Sequence, residues 1–170
     1  MERAGFWIRV LATVIDLVVV GMLSVVGGTV TIAALMSAGA TADTAQRAGG
    51  IASVALVLLY TSADVWFAGT PGKLVLGLRI GSAAGQRAGR WTLALRWSTK
   101  YYATLVALAH AVTLDAGSEL LARWMNTVVM VGCLQALHES RRAWHDEWAR
   151  TAVLWRRSIP ALPPPLPVVA

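Results

Sequence analysis

Residues 10–36 read VLATVIDLVVVGMLSVVGGTVTIAALM. The stretch is apolar except for Asp16, with scattered Gly, Ser and Thr. A helix needs roughly 20 such residues to cross the hydrocarbon core of a bilayer, so this one is long enough to cross with tilt. Small residues follow at Ser37-Ala38-Gly39-Ala40, as at a signal-peptide cleavage site. A signal peptide, however, has an apolar region of about 7–15 residues. This run is far longer and carries an aspartate, so cleavage is not expected.

Three more apolar segments follow, at about 49–68, 97–114 and 120–137. The last two are short: they form one helical hairpin, or one span plus an interfacial piece. The bulk composition agrees with a membrane protein. Apolar residues are 56% and charged residues 14% of the chain, against roughly 45–50% and 25% in soluble domains. Mean hydropathy is +0.59, yet the net charge is +6 and the sequence pI about 10.4. A basic balance suits either a nucleic-acid binder or a membrane protein with basic cytoplasmic loops. The distribution decides. With the N-terminus inside and four spans, the inside holds Arg3, Arg9, Lys73, Arg79, Arg87, Arg90, Arg96, Lys100, Arg141, Arg142, Arg150, Arg156 and Arg157. The outside holds only Arg47 and Arg123. An even number of spans with both termini cytoplasmic is therefore expected, and no nucleic-acid partner. Trp7, Trp66, Trp97 and Trp124 fall near the span ends, where indoles favour the headgroup level.

Ionisable residues in such spans are costly and usually face the protein interior, where they find partners. Arg9 and Asp16 are two turns apart on one helix face, separated by about 10 Å, with Thr13 between them. Tyr60, Thr61 and Asp64 share a stripe on the second span. The expectation is that Arg9 pairs with Asp64 or Asp16 and leaves a carboxylate free for a cation or proton. The rival readings are a structural clamp between the first two spans, or polar residues that line a lipid-headgroup pocket.

Gly69-Thr70-Pro71-Gly72-Lys73 reads as a turn closing the second span. It is not a phosphate loop, because position 67, where that pattern needs glycine, is Phe67. Leu74, Leu76, Leu78 and Ile80 alternate with Val75, Gly77 and Arg79, which is strand periodicity. Ser82 to Gln86 reads as a turn, so a short β-hairpin against the membrane surface is expected. Trp91, Ala94 and Leu95 then recur at helical spacing beside Arg90 and Arg96, either an interfacial helix whose basic residues would meet anionic lipid headgroups or a solvated basic loop that obeys the topology rule. Cys133 is a single cysteine, which excludes an internal disulfide. His110 in the third span reads as hydrogen-bonded within the bundle. His145-Asp146 lacks further spaced ligands, so neither a metal nor another cofactor is expected, and the pair reads as a cap on backbone groups. No nucleophile-and-base set stands out, and no enzyme is expected. Residues 158–170 form a Pro-rich tail that cannot be helical.

These residues resemble the RDD family of bacterial membrane proteins, named for one arginine and two aspartates. The matching positions are Arg9 at the opening of the first helix, Asp16 within it and Asp64 in the second. Thr70, Pro71, Gly72, Lys73, Gly77 and Arg79 resemble the family's loop. His145, Asp146 and Thr151 resemble its closing motif. The resemblance implies a multi-pass protein of the bacterial inner membrane, with a transport role proposed for the family. The fold class expected is an all-α membrane bundle of about four helices over residues 1–157, with a small cytoplasmic hairpin and amphipathic loop at 69–96. Two functions follow as expectations. One is cation or proton movement by a homodimer using Asp16 and Asp64. The other is a non-catalytic structural or assembly partner of another membrane protein.

Overall fold

The computed structural model describes residues 2–113 and 142–159, together with 124, 127, 131, 132 and 135. Helix α1 (Phe6–Ser37) and helix α2 (Ala42–Thr61) form an antiparallel pair joined by a short turn. Gly39 turns the chain in the left-handed region, where glycine pays no steric penalty. Thr41 caps α2, its hydroxyl accepting from the Thr44 amide. Both helices are long and apolar enough to cross a membrane, the second counted through Trp66. Their outer faces expose Leu17, Met22, Val25, Val26, Val30 and Leu59, side chains that water would penalise and acyl chains would not.

Small residues set how closely the two helices approach. A Cβ on Gly49 would lie 2.9 Å from the Gly28 carbonyl oxygen and run into Ile32. Ser53 donates to the Ser24 carbonyl at 2.8 Å across the same seam. This is the packing expected where small side chains let backbones meet in an apolar medium.

The chain then builds a polar cap on the end of this pair where α1 begins and α2 finishes. Ser62 interrupts α2, and helix α3 (Ala63–Trp66) continues it for one turn. Pro71 opens helix α4 (Pro71–Val75), so Leu74 lies in a helical turn and not in the expected strand. Gly77, at φ +70°, ends that turn. Strand β1 (Leu78–Ser82) follows, then helix α5 (Arg90–Lys100) and helix α6 (Tyr102–Thr113). The expected third span from residue 97 is therefore broken at Tyr101. Helix α7 (Trp144–Trp148), strand β2 (Thr151–Trp155) and a 3-10 turn (Arg156–Ser158) complete the described chain. The expected span at 120–137 and the tail beyond residue 159 lie largely outside the described residues.

The expected local hairpin is corrected. The chain does turn at Ser82, whose amide donates to the Gln86 carbonyl, but the return makes a single bridge between Gly81 and Arg87. The partner of β1 is β2, antiparallel, with Leu78 opposite Trp155 and Ser82 opposite Thr151. On the other edge of β2 lies the N-terminal segment: the Ala4 amide donates to the Val153 carbonyl at 2.9 Å, and Arg3 bridges Leu154. A small apolar core forms beneath the sheet from Ala4, Ala12, Leu78 and Val153, flanked by Ile8, Leu76 and Trp155. Residues 2–4 and 153–155 thus meet at one end of α1.

The Gly28–Gly49 contact makes a direct prediction. Gly49→Val should force α1 and α2 apart and lower stability by about 1–3 kcal/mol. Gly50→Val, at a position with open space around it, should cost less. Thermal unfolding in mild detergent, followed by tryptophan fluorescence, measures both.

Candidate functional site

Two clusters of polar side chains lie in the cap, and Asp16 belongs to one while Asp64 belongs to the other. In the first, α1 presents Asp16 to the loop that closes α2. Asp16 accepts from the Tyr60 hydroxyl at 2.8 Å, the Gly72 amide at 2.8 Å and the Thr70 hydroxyl. All three donors are neutral. Gly72 is required for this approach, because a Cβ there would lie 2.6 Å from the Ala12 carbonyl oxygen and 2.7 Å from Asp16 Oδ1. Thr70 has two roles: it precedes α4 as its N-cap residue, and its hydroxyl serves Asp16.

The second cluster is a buried chain of charges. Lys73 Nζ donates to both oxygens of Asp64, at 2.7 and 3.0 Å. Arg96 Nη1 reaches Asp64 Oδ2 at 3.1 Å, and Arg96 Nε reaches Asp146 Oδ1 at 2.7 Å. Arg9 Nη1 donates to the other oxygen of Asp146 at 3.2 Å. Arg96, Asp64 and Asp146 are 2%, 1% and 0% exposed. Elements distant in sequence are thereby joined: α1 by Arg9, α3 by Asp64, α4 by Lys73, α5 by Arg96 and α7 by Asp146. Each carboxylate accepts three hydrogen bonds, since the Ala143 amide also donates to Asp146 at 3.3 Å. That nearly fills the roughly four lone-pair positions a carboxylate offers.

His145 stands on the same guanidinium, its Nε2 3.3 Å from Arg96 Nη2. A guanidinium can only donate, so Nε2 accepts and the ring is neutral with its proton on Nδ1. The electrostatics agree. Burial first, and then the positive charge of Arg96, push the His145 pKa down to about 3. Burial pulls Lys73 down to about 8 against the attraction of Asp64. For Asp146, burial would raise the pKa, but the charges led by Arg96 outweigh it and hold the carboxyl well below its usual range. Asp146 also takes the capping role expected of it, through the Ala143 amide. Thr151 and Arg142 fasten its backbone: the Thr151 hydroxyl and Arg142 Nη2 both donate to the Asp146 carbonyl, at 3.4 and 3.1 Å.

Several expectations are corrected here. The described partner of Arg9 is Asp146, not Asp64 or Asp16. The stripe of Tyr60, Thr61 and Asp64 is shared among three partners. Tyr60 serves Asp16, Asp64 takes the cations, and Thr61 accepts from the Trp97 indole at 3.2 Å. Trp97 therefore turns inward as a brace between α2 and α5. Lys73, read as part of the turn closing the second span, and Arg96, read on an interfacial helix, are buried ion-pair partners. The only sequence signal for Arg96 was its place on α5, three residues after buried Leu93 and so on the same helix face. Of the loop and closing motifs, Gly77 and Arg79 shape the sheet, whereas His145, Asp146 and Thr151 converge as a unit. Among the described residues no group of His, Cys, Asp and Glu could hold a metal ion.

The model of the RDD family matches residues 3–150, and the chain belongs to that family. No curated protein and no solved structure matches it. Family membership and the two long apolar helices make it an integral membrane protein.

Two outcomes are expected of this cluster. Arg96→Met leaves two buried carboxylates short of a cation and should cost about 3–5 kcal/mol. Arg96→Lys should recover little of that, because an ammonium cannot reproduce the guanidinium fork spanning Asp64, Asp146 and His145. Denaturation in detergent reads both. The pH dependence has a defined sign. Folded His145 stays neutral to about pH 3, whereas the unfolded residue binds a proton below about pH 6.5. The unfolded state then holds more protons, so stability falls as the pH drops from 6.5, by up to about 1.4 kcal/mol per unit. His145→Gln should flatten the melting temperature between pH 6.5 and 5.

Proposed function

We propose that this member of the RDD family is a non-catalytic, multi-pass protein of the bacterial inner membrane whose cap faces the cytoplasm and acts as a rigid docking platform for another membrane protein. One observation carries the reading: Asp64 and Asp146, the deepest carboxylates described, are committed to fixed cations. An ion that entered would have to displace Lys73, Arg96 or Arg9. A buried charge stripped of its partner costs about 3–5 kcal/mol, a poor basis for repeated loading and release. The structural-clamp reading of the charges is favoured on that ground, extended from two helices to the whole cap.

The orientation draws support from two sides. Residues 2–4 pair with residues 153–155 at one end of α1, which implies an even number of crossings between them. Arg87, Arg90, Arg150, Arg156 and Arg157 decorate the same cap, as cytoplasmic loops would.

A second reading, movement of a proton or cation, is favoured by Asp16 alone. It is only partly buried, and no ion pair neutralises it among the described residues. Proteoliposomes separate the two readings. The platform reading expects no flux from folded wild-type protein across a panel of monovalent cations and protons. It also expects a photo-crosslinker placed at exposed Val75 to trap one defined membrane protein in native membranes. Flux that Asp16→Asn abolishes, in a variant that still melts cooperatively, would establish transport in its place. Orientation is read from Ala84→Cys in a Cys133→Ser background: labelling only after the membrane is opened places the cap inside.

A further inference from the structure

A cavity of about 510 Å³ opens between the start of α5, the end of β1 and the turn from α7 into β2. Its walls include Arg87, Arg150, Ser82 and Thr92, together with the exposed Trp91 and Trp148. We propose that this cavity binds the headgroup of one anionic phospholipid from the adjoining leaflet. The proposal rests on the membrane reading of the cap given above.

Charge is the first argument. Arg87 and Arg150 come from separate segments, both are exposed, and neither has an ion-pair partner among the described residues. They differ in this from Arg9, Lys73 and Arg96, whose charges are spent within the cap. Two guanidiniums facing one cavity suit a phosphodiester, which accepts their paired N–H groups in plane.

Position is the second. Helix α5 packs against α3, and the Arg90 guanidinium lies 5.5 Å over the ring of Trp66, at the end of the second apolar helix. The cavity therefore opens where that helix would leave the hydrocarbon. Trp91 is 89% exposed, and Trp148 and Leu95 stand out from the same opening. Indoles at this depth sit among glycerol and headgroups, and Leu95 offers an apolar step for the start of an acyl chain.

Backbone geometry is the third. Arg150 sits at φ +50°, a left-handed conformation that glycine adopts freely and arginine does not. Its amide donates to the Glu147 carbonyl and its carbonyl accepts from the Ala83 amide, so the surrounding turn imposes the conformation. A strained position that carries a long cationic side chain into a cavity points to use of that side chain.

The test uses full-length protein in nanodiscs of neutral phosphatidylcholine, titrated with short-chain phosphatidylglycerol and followed by the rise in melting temperature. Saturable stabilisation is expected. Affinity should be about fivefold weaker for each arginine removed, in Arg87→Gln and in Arg150→Gln. Arg150→Gly, which relieves the backbone and removes the guanidinium, should melt at least as high as wild type without lipid yet lose the same affinity. Arg156→Gln/Arg157→Gln should bind as wild type. Three results would overturn the proposal: equal loss in that control, undiminished binding by the Arg87→Gln/Arg150→Gln variant, or equal stabilisation by inorganic phosphate alone. Both leaflets of a nanodisc are alike, so a wrong orientation leaves this result intact and shows only in the cysteine labelling.

Discussion

One guanidinium organises the cap. Arg96 bridges Asp64 at the end of the second helix and Asp146 just before the final strand, and it stands on His145 as well. Its burial requires every neighbour to be in place. Without Asp64 and Asp146 the charge could not be held out of water, and without Arg96 the two buried carboxylates would each keep only one cation, Lys73 or Arg9. The arrangement is therefore all-or-none. Among the described residues, Lys73 and Arg9 extend the chain of charges on either side, so that five segments are fixed by side chains that individually belong in solvent.

Asp16 solves a different problem with different chemistry. It holds a loop against α1 at backbone contact distance. Neutral donors do this: two hydroxyls and the amide of Gly72, a residue that allows the contact because it has no Cβ. Two aspartates on neighbouring helices thus act separately, one fixing backbone and the other anchoring an ion network. The difference matters for function, since only the first carboxylate lacks a fixed counter-charge among the described residues.

The cap also depends on the order of the chain. Strand β2 lies between the N-terminal segment and β1, and it follows the Asp146 turn directly. The sheet, the apolar core around Ala4, Leu78 and Val153, and the Asp146 ion pairs can form only once nearly all of the chain is present. Those contacts span 50 residues between Arg96 and Asp146 and 137 between Arg9 and Asp146, and closing such loops is entropically slow. A membrane suits this requirement, because α1 and α2 can already be paired while the remainder arrives.

Much of this was legible in the sequence, because the features concerned are local. Apolar runs of sufficient length mark the two long helices, α5 shows its periodicity, and Arg9, Asp16, Asp64, Thr70, Gly72, His145 and Asp146 stand out as unusual residues in their settings. The family resemblance drew on the same positions. What the sequence could not assign is partnership. Periodicity says which face a residue occupies, and never which distant face meets it. Arg9 pairs with Asp146 across the length of the chain, β1 pairs with β2 and not with its own return turn, and Lys73 and Arg96 are buried although they sit in a basic loop. Those outcomes are energetic and collective. A buried charge is tolerated only where several elements deliver its partners together, so its burial is decided when the tertiary structure closes.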